Sequence, residues 1–470
     1  MYHVPDGSEK GTFLAVDLGG TNCRICLVDL LGNSTYTVTQ TKHTVPEHLR
    51  INPRYQPLFQ FIADAIRNFL DQKDVRLHID YETTAQKIPL GFTFSFTCDQ
   101  TSISQGTLIQ WDKGWDIPEA LGKDPCAMLQ ESLDQIGLPV QVCALANDSV
   151  GTLLARAYTS PEPGSTLAGV IIGTGTNAAY IEKLDNVRRI PRLENKPMPD
   201  SIVLNTEWGC FDDNLQVLPV THFDRALDAS SINPRQQQLE KRVSGMYLGE
   251  LMRLVILHCT AQGALDMSLD DDSPCHRQYA LDSSFLSLLA RHETDVAKAV
   301  ERVLAARNVT ASDVRVLTQL ADAIVKRSAR LAGSALGAII IQSGRLSVPE
   351  SNPTVHIPSQ RKIHSERSCI PLSKITNYFK RLITSRSEPQ TTAAGDKLSS
   401  IASEQNENVI DIGVDGSLIE LYPGFEAHMR SALRDIEQIG LVGERRVRMG
   451  VAKDGSGVGA ALMANAARLL

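Results

Sequence analysis

The sequence is poor in the features that mark several special classes of protein. Its longest apolar stretch, around residues 331–341, is too short to span a bilayer. Its nine cysteines are an odd number without the spacing of a disulfide framework or a Cys/His metal site. Residues 1–10 have neither the apolar core of a signal peptide nor an arginine-rich amphipathic pattern. We therefore predict a cytoplasmic protein with reduced thiols and no membrane partner.

Basic residues are also in deficit. The formal net charge is −7 and the pI is near 5.9, so we predict no nucleic-acid partner. The content of 42% hydrophobic and 21% charged residues is typical of a globular protein. A chain of 470 residues is too long for one ordinary core, which favours two domains.

Two stretches repeat the pattern of an apolar run, a glycine turn and a second apolar run. They are residues 12–28 and residues 167–182, and Gly-Thr-Asn occurs in the turn of each, at 20–22 and 175–177. Exposed backbone N–H groups in such turns bind phosphate, because no Cβ blocks the approach of the anion. The repeat predicts a duplicated domain that grips the phosphates of a nucleotide from both sides. Chance recurrence of a short glycine motif is the alternative.

Residues 141–154 carry the polar pair Asn147-Asp148 between an apolar run and a segment of helical periodicity. The pattern predicts a buried strand followed by a helix. In open α/β sheets ligands bind at the carboxyl ends of the strands, which would place both side chains in a site. The alternative is that Asp148 simply caps the helix.

Other polar residues are less informative by themselves. Residues 111–115, Trp-Asp-Lys-Gly-Trp, suggest a sugar or nucleotide surface, although an exposed loop would have the same composition. Glu207 lies beside Trp208, and Glu240 lies on an amphipathic helix predicted from about residue 237; single glutamates like these are usually solvated. A third glycine turn, at 455–457, opens a helix, which predicts an anion site or only a glycine-rich helix start.

Two segments near residue 340 differ sharply in character. Small residues between 329 and 337 would let a helix pack closely against a sheet. Residues 345–408 are rich in Ser, Thr, Pro and Gln without a sustained period, which predicts a long flexible insertion. That insertion is a surface loop, a regulatory segment with phosphorylatable residues, or translated non-coding sequence.

Taken together, the motifs resemble those of the eukaryotic hexokinases. FLAVDLGGTNCR, ALANDSVGTL, GVIIGTGTNAAY, NTEWGCFD, LEKRVSGMYLGEL, GVDGSLIELYPGF and DGSGVGAAL occur in the order typical of that family. The amino-acid sequences of these motifs are most similar to those of the fungal glucokinase branch. The resemblance covers nearly the whole chain apart from residues 345–408.

The resemblance implies an α/β protein with the actin-like ATPase (ribonuclease H-like) fold, whose two lobes close over a central cleft. The small lobe would comprise residues 1–146 and 458–470, and the large lobe residues 147–457. The reaction would transfer the γ-phosphoryl group of ATP, bound with Mg²⁺, to the 6-hydroxyl of glucose or another hexose. The protein would be a monomer or a weak homodimer.

The resemblance also assigns roles to individual residues. Asp148 would be the catalytic base, and Lys113 would neutralise charge near the transferred phosphoryl group. The hexose ligands would be Ser95, Asp112, Lys113, Asn147, Asp148, Asn177, Glu207 and Glu240. The nucleotide would be held by Asp17, Gly19, Gly20, Thr21, Asn22, Arg24, Gly173, Thr174, Gly175, Gly416, Ser417 and Ser456. Mg²⁺ would be held near Asp17 through ATP and water, without direct protein ligands.

Three departures from the family pattern favour an alternative function. Asp112 stands where the family usually has Thr, and it either pairs with Lys113 or replaces the hydroxyl as an acceptor. Thr97 stands where the family has Pro, which we expect to loosen the loop that carries Ser95. Asp17 comes early, so we expect a long N-terminal helical region to be missing. The alternative is a catalytically weak, hexokinase-like sugar sensor that regulates carbon metabolism.

Overall fold

The computed structural model describes residues 4–76, 87–187, 199–291, 295–346 and 409–468. The predicted insertion at 345–408 lies outside the described residues, except for its first two positions. The strands are β1 Lys10–Leu18, β2 Asn22–Leu31, β3 Tyr36–Thr44, β4 Ile88–Phe94, β5 Thr97–Ser102, β6 Gln105–Gln110, β7 Val140–Ala146, β8 Thr166–Ile172, β9 Thr176–Lys183, β10 Ser201–Asn205, β11 Ser268–Leu269, β12 Ala306–Arg307, β13 Ile410–Asp415 and β14 Val447–Val451. The helices are α1 Glu47–Arg50, α2 Gln56–Leu70, α3 Lys73–Arg76, α4 Pro125–Gln135, α5 Asp148–Thr159, α6 His222–Ser230, α7 Glu240–Val243, α8 Gly245–Ala261, α9 Ser284–Ala290, α10 Val296–Leu304, α11 Ala311–Gln342, α12 Ser417–Leu421, α13 Phe425–Asp435, α14 Gly440–Arg445 and α15 Gly455–Arg468.

Two five-stranded sheets share one topology. The first has the order β3-β2-β1-β4-β7 and the second the order β10-β9-β8-β13-β14. In each sheet the first three strands in sequence are antiparallel neighbours, and the next two strands join in parallel. The predicted duplication and the strands on either side of both glycine turns are therefore confirmed.

Helices α5 and α15 pack between the sheets. Helix α15 contacts β1, β4 and β7 of the first sheet, and α5 contacts β8, β9 and β13 of the second. The two helices meet through glycines, since a Cβ on Gly459 would lie 2.1 Å from the Cα of Gly151. A hydrophobic cluster that includes Phe13, Leu153 and Val458 fills the space around this crossing. The last helix of the chain thus belongs structurally to the first sheet.

The helix predicted from residue 237 is interrupted. Ser244 is extended (φ −85°, ψ 153°) and separates α7 from α8. The first N–H groups of α8 are satisfied from the second glycine turn, because Gly245 N donates to Gly173 O (2.8 Å) and Met246 N to Thr174 O (3.2 Å). The first turn of α8 therefore finds its hydrogen-bond acceptors in the second glycine turn, and not in a preceding turn of the same helix.

The small residues of α11 pack against a helix, so the prediction that they face a sheet is wrong. A Cβ on Gly333 would lie 2.6 Å from Met429 O and 3.0 Å from the Cβ of Ala432, both on α13. The two helices can approach this closely only because the side chains between them are small.

No helix of the described ranges is both long enough and apolar enough to cross a membrane.

The cysteines of the described residues are all free. Cys23 and Cys26 have CxxC spacing within β2, but a strand points residues three apart to opposite faces. Accordingly, Cys23 packs in the core outside the first sheet and Cys26 in the cluster between the sheets. The pair is therefore a pair of buried apolar side chains and cannot form a disulfide with each other without rearrangement of the strand.

Candidate active site

A cleft of about 210 Å³ lies at the carboxyl ends of β1, β4 and β7, where side chains from both sheets converge. Fifteen of the residues predicted for the site line it: Asp17, Gly19, Gly20, Arg24, Ser95, Asp112, Lys113, Asn147, Asp148, Thr174, Gly175, Asn177, Glu207, Glu240 and Ser456. The lining also includes residues without a predicted role: Phe96, Thr97, Ile171, Thr176, Gln237 and Asp415.

The other predicted residues shape the turns without lining the cleft. Thr21 and Asn22 complete the first glycine turn, in which Gly19 N donates to Asn22 O (3.0 Å). Gly173 and Gly416 abut, since a Cβ on Gly173 would lie 3.5 Å from the Cα of Gly416. Gly416 has φ +121°, and its Cβ would lie 2.4 Å from Ile172 O, so only glycine fits there. Ser417 begins α12 directly after this turn.

Asn147 and Asp148 lie at the junction of β7 and α5, as predicted. The N-cap residue is Asn147, whose Oδ1 accepts hydrogen bonds from Ser149 N (3.0 Å) and Ser149 Oγ (2.7 Å). The alternative that assigned the cap to Asp148 is therefore wrong by one residue. Asp148 is the first helical residue and accepts from Ser149 N (2.9 Å). Its carboxylate lines the cleft at the positive end of the α5 dipole.

A network of amides joins the polar groups of the second sheet. Asn177 Nδ2 donates to Asn205 Oδ1 (2.8 Å), Asn147 Oδ1 (3.2 Å) and Glu207 Oε1 (3.2 Å). Asn205 Nδ2 in turn donates to Glu207 Oε1 (2.7 Å). Asn205 is not among the site residues predicted from the sequence. Its place in NTEWG, two residues before Glu207, was the only local signal.

Glu207 is held in an uncommon conformation. Its backbone is left-handed (φ 48°, ψ 43°), a region that few non-glycine residues occupy. Trp208 follows and donates from Nε1 to Thr176 Oγ1 (3.0 Å), which fixes the turn against β9. Burial raises the pKa of Glu207, and the hydrogen bond from Asn205 opposes this shift. The turn therefore directs a carboxylate into the cleft at some cost in backbone strain.

Glu240 reaches the second glycine turn from α7. Its Oε2 accepts from Thr176 N (2.9 Å), and a Cβ on Gly175 would lie 2.9 Å from the same oxygen. Burial raises the pKa of Glu240 to about 7, against the opposing effect of the Lys113 charge. This carboxylate therefore changes its charge close to neutral pH.

Among the cations of the cleft lining, Lys113 is the one that lies between the carboxylates predicted to bind the sugar. Its Nζ donates to Ser95 O (2.6 Å) and lies 3.9 Å from Asp112 Oδ1. Burial alone would lower the pKa of Lys113, but nearby carboxylates raise it. The carboxylates that act on it are Asp112, Asp148, Glu240 and Glu207.

Asp112 forms no close hydrogen bond through Oδ1. That oxygen is buried and has no donor within hydrogen-bond distance, so its ion pair with Lys113 is a loose one. Burial raises the pKa of Asp112, and the charge of Asp148 adds to the shift. Of the two predicted outcomes, the pair with Lys113 is present only as a loose contact, and the role of Asp112 as an acceptor for the sugar stays a prediction.

An aromatic cluster supports the loops that carry Ser95 and Lys113. The ring of Phe96 lies 4.7 Å from Trp111 and 5.0 Å from Trp115, measured between centroids. Trp115 Nε1 donates to Gly20 O (2.6 Å), which ties this cluster to the first glycine turn. Thr97 directly follows as the first residue of β5. The loop is therefore anchored, directly before Thr97, by the edge-to-face and tilted ring contacts of Phe96.

The nucleotide half of the cleft is built from the glycine turns. Asp17 accepts from Arg24 Nε (2.9 Å) and Nη2 (2.5 Å) across the β1–β2 hairpin. Burial raises the pKa of Asp415 to about 7, with Glu420 as the next cause. A Cβ on Gly20 would lie 3.2 Å from the Lys113 side chain, so a larger residue there would displace Lys113. Glycine turns of this kind are typical of anion-binding sites.

Within the described residues, no group of three or more His, Cys, Asp or Glu side chains is arranged to hold a metal ion directly. Asp17 and Asp415 line the same half of the cleft and are hard oxygen donors of the type that Mg²⁺ prefers. These residues fit a magnesium ion that is held mostly by nucleotide phosphates and water.

The repeated sheets and the cleft between them define the class of the protein, a phosphotransferase of the actin-like ATPase fold. Comparison with known families then identifies it further. Family models described as hexokinase match residues 1–158 and 167–466. The chain belongs to the hexokinase family.

Similar proteins are known from fungi and animals. The chain is 39% identical to a glucokinase of Aspergillus niger, across 98% of this chain and 86% of that protein. It is 35% identical to glucokinase-1 of Saccharomyces cerevisiae, across 98% and 85%. The solved structure of a hexokinase from Schistosoma mansoni complexed with glucose superposes with a TM-score of 0.74 at 28% identity, covering 99% of this chain and 87% of that one. None of these comparisons favours the regulatory alternative.

Proposed function

We propose that this chain transfers the γ-phosphoryl group of ATP to the 6-hydroxyl of a hexose, with glucose as the first substrate. The observation that carries the proposal is the convergence of Asp148, the amide network and Lys113 in one cleft between two glycine turns. The relatives named glucokinase and hexokinase support it.

The proposed base is Asp148. A sugar hydroxyl is a weak nucleophile, so a carboxylate must accept its proton as the bond from O6 to the γ-phosphorus forms. The bond between that phosphorus and the bridging oxygen breaks, and ADP leaves with the electron pair. Lys113, whose pKa is raised by the surrounding carboxylates, stays protonated and stabilises the charge of the transferred group.

The proposed hexose ligands are arranged to accept and donate to neighbouring hydroxyls. They are Ser95, Asp112, Lys113, Asn147, Asp148, Asn177, Glu207 and Glu240. Carboxylates and amides suit a sugar because each planar group reaches two hydroxyls at once. The hydrogen bonds of Asn177 and Asn205 fix the orientation of these groups before substrate arrives.

The proposed nucleotide ligands lie in and beside the glycine turns. The first turn, with Asp17, Gly19, Gly20, Thr21, Asn22 and Arg24, would hold phosphates from one side. Gly173, Thr174 and Gly175 would clamp them from the other side. Gly416, Ser417 and Ser456 would line the nucleotide pocket. A magnesium ion near Asp17 would neutralise phosphate charge when bound with ATP.

We also propose the division of the chain into lobes, its location and its state. Residues 1–146 and 458–470 form the small lobe and residues 147–457 the large lobe, which the packing of α15 on the first sheet supports.

A cytoplasmic location is supported by the free cysteines of the described residues. The chain acts as a monomer or weak homodimer, without nucleic-acid or membrane partners; light scattering and cell fractionation test these points.

The test of the activity is glucose-dependent formation of ADP by the purified protein. Asp148→Ala removes the base, so we expect kcat to fall by a factor of about 10²–10⁴ while glucose still binds. Asp99→Asn, an exposed position on β5, is the control and should leave turnover unchanged. Wild-type turnover no higher than that of Asp148→Ala, at saturating glucose and MgATP, would disprove the proposal.

A further inference from the structure

The sugar half of the cleft has an excess of negative charge. The cleft lining includes six carboxylates, namely Asp17, Asp112, Asp148, Glu207, Glu240 and Asp415, and two cations, Arg24 and Lys113. Arg24 is engaged by Asp17 at 2.5 Å, so Lys113 alone faces the remaining carboxylates around the sugar.

Asp112 contributes a charge that no hydrogen bond offsets at Oδ1. That oxygen is buried, and its nearest cation, Lys113 Nζ, is 3.9 Å away and already donates to Ser95 O. A buried carboxylate with a loose ion pair is poorly screened, so its field acts across the cleft. Asp112 and Asp148 are close enough to raise the cost of ionisation at Asp112.

We propose that Asp112 is a specificity-determining residue that weakens the binding of phosphorylated sugars, including the hexose 6-phosphate product, relative to neutral hexoses. The inference rests on the proposed function, because it places the 6-oxygen of the sugar beside Asp148. Phosphoryl transfer puts a phosphate with a charge of about −2 at that oxygen. The new charge then lies within the field of Asp112, and repulsion favours release of the product.

The nucleotide is affected less by the same charge. In the proposed function its phosphates would lie against the glycine turns, and a bound magnesium ion would neutralise part of their charge. The product phosphate has Lys113 as its main counter-charge, and Asp112 competes for that cation. Asp112 therefore discriminates between neutral and phosphorylated sugars by their charge and not by their shape.

The experiment is calorimetric titration of glucose and of glucose 6-phosphate into wild type, Asp112→Asn and Asp112→Thr. Asparagine keeps the shape of the side chain and removes its charge. We expect the affinity for glucose 6-phosphate to rise on the order of tenfold relative to the affinity for glucose in both variants. Asp99→Asn, which removes one exposed charge outside the cleft, should leave the ratio of affinities unchanged.

Three results would overturn the inference. The first is a ratio that stays within about twofold of wild type in both Asp112 variants. The second is an equal change in Asp99→Asn, which would indicate an effect of net charge only. The third is loss of glucose binding by both folded variants, which would make Asp112 an essential sugar ligand. Because binding is measured without turnover, failure of the proposed kinase activity shows up separately, in the ADP assay.

Discussion

At the scale of single residues, Asn205 connects the sugar ligands of the second sheet. It is the only residue seen to hydrogen-bond with Ser149, Asn177 and Glu207 together among the described side chains. It reaches Ser149 at 3.4 Å, next to the proposed base. Its role is to position Glu207 and Asn177, since its own side chain does not line the cleft.

We therefore predict that Asn205→Ala raises the KM for glucose about tenfold. The loss leaves Glu207 with one donor fewer, and a hydrogen bond to a charged group contributes about 1.5–3 kcal/mol, with the lower end fitting this exposed bond. Steady-state kinetics check this, and kcat should change less than KM because Asp148 is untouched. Asn33→Ala, in the exposed turn between β2 and β3, is the matched control. Equal KM values for the two variants would show that Asn205 has no positioning role.

A second prediction concerns Glu240 and pH. Its pKa is about 7 in the folded protein against an ordinary value of 4.5, so the folded state holds this proton more tightly than the unfolded state. The stability that this proton contributes is fully present below pH 4.5 and is lost as the pH rises to about 7.

Glu240→Gln removes the titration, so its stability relative to wild type should improve from pH 5 to pH 8. The gain is at most about 3 kcal/mol, because the side chain keeps some contact with solvent in the cleft. Urea unfolding at both pH values measures it. The control for the removal of a carboxylate is Glu119→Gln, on a half-exposed turn outside the cleft. A pH-independent difference for Glu240→Gln would contradict the assignment.

At the scale of secondary structure, the strands and turns near the glycines were predictable because their determinants are local. An apolar run with a glycine turn defines a hairpin without reference to the rest of the chain. The break at Ser244 was not predictable, because its cause is the pair of carbonyls at Gly173 and Thr174, about seventy residues earlier in the sequence. The site shows the same division: Asp148 follows a strand end, whereas the partners of Asn205 are known only from the fold.

The crossing of α5 and α15 gives a prediction at this scale. Gly459→Ala would place a Cβ 2.1 Å from the Cα of Gly151, against backbone atoms that have no side-chain freedom, so the helices must separate. We expect a loss of about 1–3 kcal/mol in the free energy of unfolding. Gly443→Ala on α14 is the control, because the atoms nearest to its Cβ would be side-chain atoms at 3.1 Å or more. Equal urea midpoints for the two variants would argue against close packing at the crossing.

At the scale of the whole molecule, the two sheets are joined by shared hydrophobic contacts. Each sheet has its own core on its outer side, and the third cluster contains residues of β1, α5 and α15 together. Unfolding of either half would expose this third cluster.

We therefore predict a single calorimetric unfolding transition, shifted to higher temperature as a whole by glucose. At 100 times its Kd, a ligand that binds only the folded state adds about 2.7 kcal/mol. Agreement of the calorimetric and van't Hoff enthalpies would support coupling of the two halves. Two resolved peaks, with glucose moving only one of them, would contradict it. The Gly459→Ala protein is the informative comparison, since weaker coupling should broaden its transition.

The aromatic cluster has a practical consequence. The sequence has three tryptophans: Trp111 and Trp115 flank Asp112 and Lys113, and Trp208 directly follows Glu207. All of the indole emission of the protein therefore originates at the edge of the cleft, on both of its sides. The intrinsic tryptophan fluorescence of the unlabelled protein can therefore report ligand binding in the cleft. Quenching of this fluorescence by acrylamide can follow how the cleft opens and closes to solvent.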